Sequence, residues 1–248
     1  MAKSSNFLLV MNMPLSPLLF AARRFAGLAL IAMLTASALQ AEPSTTTSQA
    51  TPRLAVGLEA GSAGVGPVVV FTTSKSITAN VGYTFLSYDY DFRNADTDFD
   101  GTLKLSNLQA ILNWHPKAGA FHLSAGVVVT NNKMDITAKP TNSYKIGDTT
   151  YTLAQIGTLD GTVKIGKGAK PYLGLGWSKT PAKSGFGFFC DIGVIFMESP
   201  KVSMRSTGPI ASDANFQRDL RKEEQDVNDK LDKFKYYPVI QIGGLYRF

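Results

Sequence analysis

Residues 236–248 read YYPVIQIGGLYRF, and this stretch decides how the rest of the chain is read. At a period of two, Ile240, Ile242, Tyr246 and Phe248 fall on one side, and Gln241, Gly243 and Arg247 fall on the other. One side suits hydrocarbon and the other suits water. With an arginine set between two aromatics at its end, the stretch predicts one stave of a closed wall whose greasy face looks outward into lipid. Every earlier segment must then supply another stave.

The same alternation recurs upstream. Leu54, Val56, Leu58 and Ala60 alternate with Ala55, Gly57, Glu59 and Gly61, which places Glu59 inward. The valines of residues 68–73 leave their phase open, and Pro67 has to start that strand because it lacks an N–H to donate. Ile77, Ala79, Val81, Tyr83 and Phe85 oppose Thr78, Asn80, Gly82 and Thr84, and Leu108, Ala110, Leu112 and Trp114 oppose Asn107, Gln109 and Asn113. Phe121, Leu123, Ala125, Val127 and Val129 oppose His122, Ser124 and Thr130. Two further staves follow, with Leu173, Leu175 and Trp177 against Tyr172, Gly174 and Gly176, then Phe186, Phe188, Cys190, Ile192, Val194 and Phe196 against Gly187, Asp191 and Gly193. The links at Ser74, Lys117 and Pro181 are short, and those over 92–101, 138–169 and 208–233 are long. Short periplasmic turns alternating with long extracellular loops predict an all-β fold: an eight-stranded antiparallel up-and-down transmembrane β-barrel of the bacterial outer membrane. A lipocalin-type soluble barrel would instead turn its apolar residues inward. Within the second long loop, residues 144–151 predict a small hairpin around Gly147-Asp148. In the last, residues 213–234 predict a short amphipathic helix with Leu220, Val227, Leu231 and Phe234 on one stripe, either a lid across the outer mouth or a helix resting on the rim.

The N-terminal region fits the same compartment. Residues 1–41 carry Lys3, Arg23 and Arg24 and no acid, followed by an apolar run over 25–35 and the small-x-small pattern Ala36-Ser37-Ala38. They predict a cleaved signal peptide, cut after Ala38 or Ala41. Residues 42–51 form a Ser/Thr-rich spacer, and 52–248 the barrel. Loss of the leader lowers the formal net charge from +6 to about +3, a balance that argues against nucleic acid as a partner. Cys190 is the only cysteine, so no internal disulfide and no thiolate metal site is expected.

An eight-stranded barrel is barely wide enough for side chains to fill its interior, which limits function. The candidate lumen-lining residues are Glu59, Asn80, Gln109, Asn113, His122, Asp191, Gln241 and Arg247. The inward glycines, among them Gly57, Gly82, Gly174, Gly176, Gly193 and Gly243, either leave a through-path or serve sheet curvature. Arg247 and Asp191 either form a plug-like ion pair or line a narrow polar path for zwitterions. Asp89, Asp91, Asp96, Asp98 and Asp100, offset only by Arg93, make a candidate acidic extracellular mouth that concentrates cationic solutes. The run Asp96-x-Asp98-x-Asp100-Gly101 begins like an EF-hand loop, but Asn107 stands where the closing glutamate belongs, and no metal is assigned to it. His122 and Ser124 share one face of a strand about 7 Å apart, too far for a nucleophile–base hydrogen bond. No catalysis and no cofactor are expected.

The succession PYLGLGW (171–177), FCDIGVIF (189–196), SPKVSM (199–204) and FKYYPVIQIGGLYRF (234–248), with HLSAGVVVTNNKMD (122–135) and IGDTTY (146–151), resembles CarO-type outer-membrane proteins of Gram-negative bacteria. Small OmpW-type barrels share part of this style. The resemblance implies a monomeric eight-stranded barrel linked to uptake of small amino acids, basic ones such as ornithine included. Two functions follow as expectations. One is a porin-like small-solute channel for zwitterionic or basic amino acids. The other is a closed structural or surface-interaction barrel whose loops bind partners, lipopolysaccharide or divalent cations.

Overall fold

A computed structural model of the chain describes residues 53–94, 97–140, 143–181 and 183–248. The expected leader and spacer, and Asp96, lie outside the described residues. The elements run β1 (Arg53–Gly61), β2 (Gly64–Thr72), β3 (Ile77–Asn94), β4 (Thr97–Trp114), β5 (Phe121–Pro140), β6 (Tyr144–Ile146), β7 (Thr149–Tyr151), α1 (Leu153–Ile156), β8 (Leu159–Lys179), β9 (Gly185–Phe196), β10 (Lys201–Ser206), α2 (Ala214–Leu231) and β11 (Tyr236–Arg247). Each of β1 to β4 pairs antiparallel with the next, β5 with β8, β8 with β9, β9 with β11, and β11 with β1, which closes an eight-stranded barrel. Closure satisfies every strand edge through the bilayer, where no water is at hand to do so.

The alternation read from sequence sets the faces. Leu58, Leu112 and Phe186 are 67, 60 and 65% exposed, a loss that water would penalise and hydrocarbon does not. From Ile77 to Phe85 the outward face of β3 stays apolar for nine residues, and at Ser87 and Asp89 it turns polar. Nine to eleven tilted residues are what an apolar band of ~25 Å requires. Aromatic pairs mark both borders: Phe121 with Trp177, Phe186 with Tyr246 and Tyr246 with Phe248 at the end that holds the C-terminus, and Tyr83 with Phe85 and Phe196 with Tyr236 at the other.

The wall is not of even height. β1, β2, β9 and β11 have 9 to 12 residues, whereas β3, β4, β5 and β8 have 18 to 21. Half of the barrel therefore projects roughly 30 Å further along its strands on the extracellular side. Residues 92–94 and 97–101, within a stretch expected as a loop, belong to the upper ends of β3 and β4, and 138–169, also expected as a loop, include the end of β5 and the start of β8. In β8 a bulge at Ile165 (Gly166 faces Asn132, Lys164 faces Lys133) switches which residues look inward: Tyr172, Gly174 and Gly176 below it, Leu159, Gly161 and Val163 above it.

The lumen-side face of this tall half-wall carries a second core. Phe99, Ile136, Ala138, Leu159 and Val163 pack against Phe216, Leu220, Val227 and Leu231 of α2, together with Ile146, Tyr151 and Ile156. The helix starts where Asp213 Oδ1 accepts from the N–H groups of Asn215 and Phe216 at 2.9 Å each. Its buried positions 216, 220, 223, 227 and 231 follow helical spacing; Phe234, expected on the stripe, lies beyond the last turn and is exposed. The β6–β7 hairpin turns at Gly147, with φ of 59°, as the Gly-Asp pair predicts. β10 adds a strand to the upper part of β8, and its outer edge is closed by the helix: Val202 N–H donates to Asn228 Oδ1 at 2.8 Å and Met204 N–H to Glu224 Oε1. The helix is thus neither a free lid nor a solvated rim segment. It is the core of an extracellular head.

Candidate functional site in the lumen

The polar residues predicted to look inward do so, and almost all are buried. Glu59, Asn80, Gln109, Asn113, His122, Gln241 and Arg247 are each at most 7% exposed, and the Asp191 side chain is 14% exposed. A water-filled bore would leave such side chains wetted. Here inward side chains bond to one another, some between neighbouring strands and Gln109 to Glu59 across three steps of the wall.

At the periplasmic end, Arg247 of β11 donates to the Pro181 carbonyl and to Thr72 Oγ1. Asp191 is bound instead by His122, Nε2 to Oδ1 at 2.8 Å. Register rules out the expected Arg247–Asp191 ion pair. Arg247 faces Gly185 while Asp191 faces Gln241, a separation of about 20 Å along the strand, beyond an arginine's reach. The His115 ring lies 5.0 Å from that of His122, and His115 contacts Thr78 Oγ1 at 3.3 Å and the Gly119 carbonyl at 3.0 Å. Ser124 donates to Asn113 Oδ1 at 2.9 Å, and Asn113 reaches Thr78 at 3.3 Å. Ser178 Oγ stands 3.5 Å from His122 Nδ1. With His122 wholly buried, the imidazole is part of a structural network and turns no face to a solute.

One layer further out, Gln109 of β4 spans the lumen to Glu59 of β1, its Nε2 donating to Oε1 at 2.7 Å and to Oε2 at 2.9 Å. Beside this pair lies an apolar cluster of Ile111, Val128, Tyr172, Ile195, Met197 and Val239, with Tyr237 packed against it. The β1–β2 turn then tucks inward: the Ala63 carbonyl accepts from Thr84 Oγ1 at 2.9 Å and Asn107 Nδ2 at 2.8 Å, and the Ser62 carbonyl from Tyr237 at 2.6 Å. Asn132 joins the layer through Asn107 at 3.0 Å.

The inward glycines neither line a path nor mark bends alone. Gly174 and Gly193 face one another across β8 and β9, and a Cβ built on either would stand 2.4 Å from Tyr172 Oη. On Gly243 it would meet the Phe189 ring at 2.2 Å, on Gly176 the Asp191 carboxylate at 1.9 Å, and on Gly82 Glu59 Oε1 at 2.4 Å. These glycines are hollows into which large opposing side chains fit. Tyr172, Thr84, Asn107, Asn132 and Lys170, which donates to Glu198 Oε1 at 2.9 Å, are among the interior residues sequence reasoning did not single out as a site; the glycine pairs beside an inward tyrosine were the available signal, but only the register shows that they face each other.

The acidic residues lie elsewhere than expected. Asp98 and Asp100 flank the buried Phe99, and Asp89 and Asp91 continue the outward face of Phe85. They sit on the outer side of the β3–β4 hairpin, high above the membrane, and do not ring the mouth. Asp91 faces Asp100 in the ladder, and Asp100 is bridged by Lys139 of β5, whose ammonium is held above its ordinary pKa by the hydrogen bond and charge of that carboxylate. Among the described residues no group of three or more His, Cys, Asp or Glu side chains is placed to hold a metal ion.

No family model and no curated protein matches the sequence. Solved structures do match it. The crystal structure of Acinetobacter baumannii CarO2 superposes with a TM-score of 0.57 at 19% identity, covering 79% of this chain and 99% of that one. That of Acinetobacter baumannii CarO superposes with a TM-score of 0.55 at 19% identity, covering 82% and 100%. At this identity the likeness concerns the fold.

Proposed function

Starting from the fold shared with the CarO proteins, and from an apolar belt and paired girdles that suit the bacterial outer membrane, we propose that the chain is an outer-membrane barrel that is closed at rest and works through its extracellular head. The observation that carries this reading is the burial of the inward polar side chains: Glu59, Asn80, Asn107, Gln109, Asn113, His122, Gln241 and Arg247 are each at most 7% exposed. A pore selective for polar solutes needs wetted groups along its length. Most groups in this lumen are already bonded to other protein groups, while Asn80 Oδ1 and Gln241 Nε2 are buried without a hydrogen-bond partner among the described residues.

Uptake of small zwitterionic or basic amino acids is the second reading. It is favoured by the stacked Glu59–Gln109, His122–Asp191 and Asn113–Ser124 layers, which would give both charges of a zwitterion partners if the interior opened. Such opening has to move Tyr172 and withdraw the β1–β2 turn.

Liposome swelling with glycine, ornithine and a neutral sugar, run beside planar-bilayer conductance, separates the two. The native barrel is expected to pass none of the three above the lipid background, while Tyr172→Ala leaks. Steady conductance or glycine uptake by the native chain would overturn the closed reading and support transport.

A further inference from the structure

The outward face of the tall half-wall carries a feature the lumen does not explain. Lys104 of β4 faces Lys133 of β5, Lys133 faces Lys164 of β8, and Lys164 faces Lys201 of β10. Four ammonium groups thus lie side by side in one row across four strands, about 14 Å from end to end. Like charges directly opposite in a sheet repel. Asp135, one outward position further up β5, is the carboxylate that answers them, 3.7 Å from Lys104 and 3.1 Å from Lys133. Lys164 and Lys201 are exposed, as is Lys167 on the membrane side of the row. Lys201 and Lys235 also line an open hollow of about 400 Å³ beside Met197, Glu198 and Ser199.

The height of the row identifies what would meet it. On β4 the last outward aliphatic is Leu108, four residues below Lys104, and on β5 it is Val129, four residues below Lys133. Four residues of a strand tilted near 40° rise about 10 Å above the hydrocarbon edge, the depth of lipid headgroups. The lysines therefore stand over the lipid belt, facing away from the barrel and continuous with the surface that acyl chains cover.

We propose that this row binds the phosphate groups of a phosphorylated glycolipid of the outer leaflet, with the acyl chains lying on the aliphatic face of β4, β5 and β8 directly below. The lysines make the contact themselves, so no divalent cation is needed to bridge protein and phosphate. The inference does not rest on whether the lumen is open.

Full-length refolded barrel in detergent is titrated with bisphosphorylated lipid A, dephosphorylated lipid A and inorganic phosphate, in chelator, with bound lipid counted by native mass spectrometry. Lipid A is expected to bind in chelator, and Lys104→Gln/Lys133→Gln/Lys164→Gln/Lys201→Gln to weaken it by at least about tenfold. A control, Lys75→Gln/Lys179→Gln at the periplasmic end, is expected to stay within about twofold. A heat-modifiable gel shift reports whether each variant is folded. Should the quadruple variant fail to fold, Lys164→Gln and Lys201→Gln singly are each expected to weaken binding by about threefold. Equal binding of dephosphorylated lipid A, full displacement by inorganic phosphate, loss of binding in chelator, or unchanged affinity in the row variants would each overturn the assignment.

Discussion

Gly193→Ala tests the closed lumen most directly. The added methyl would stand 2.4 Å from Tyr172 Oη and 2.5 Å from both Cε2 and Cζ, where carbon contacts settle at ~3.5–4.0 Å. The ring has little room to retreat, because Ile111, Val128 and Ile195 pack around it. Overpacking of this kind costs about 1–3 kcal/mol. Tyr172→Leu alone leaves a partial void at an expected cost of about 2–4 kcal/mol. Combined, the smaller side chain makes room for the new methyl, so the pair should fall short of the sum of the single effects by at least about 1 kcal/mol. Gly119→Ala serves as control, since its nearest neighbour to the added carbon is 3.8 Å away. Urea unfolding of the barrel in lipid vesicles, followed by the fluorescence of Trp114 and Trp177, gives all five stabilities. If Gly193→Ala is neutral and the double substitution merely additive, the tyrosine does not fill the paired hollow, and the closed interior loses its main support.

Three further outcomes follow from the head. Burial pushes the Tyr90 hydroxyl up to about 12 from an ordinary value of 10.0. The neutral form is favoured in the folded state, so this contribution is fully present below pH 10 and is lost as pH rises toward 12; the urea midpoint for unfolding of the head should fall over that window, and the fall should shrink in Tyr90→Phe. Phe216→Ala removes a wholly buried ring that packs edge-on against Tyr151 at 5.1 Å; it should destabilise the head by about 3–5 kcal/mol, seen as faster exchange in α2 and β10, while the gel shift of the lower barrel persists. Asn228→Ala removes the acceptor for the Val202 N–H and should cost about 1–2 kcal/mol, again confined to β10 by hydrogen exchange.

Within the bilayer the architecture was legible because lipid on one side and packed polar groups on the other impose a strict period of two. Glu59, Gln109, Asp191 and Arg247 could be placed inward on that ground alone. Above the membrane the outward face no longer needs to be greasy, and the contrast fades: Asp160, Thr162 and Lys164 read as loop although they are strand. The bulge at Ile165 compounds this by breaking the period within β8. β10 escaped notice because six residues with Val202 and Met204 as their only apolar members give too short a signal. The partner choices in the lumen were illegible for a different reason. Which of His122 or Arg247 meets Asp191, and which glycine receives Tyr172, depend on register between strands far apart in sequence.

The one-residue irregularity in β8 has a consequence for how this chain tolerates change. Because Ile165 is the extra residue, the segment from Leu159 to Lys164 is turned over relative to the segment that follows it. Deleting that isoleucine would leave a regular ladder, with Lys164 still outward beside Lys133 and Leu159 and Val163 still inward. Loss of one residue at the bulge should therefore be forgiven, whereas loss of one residue above it, which would roll Leu159 out to the wet side, should not.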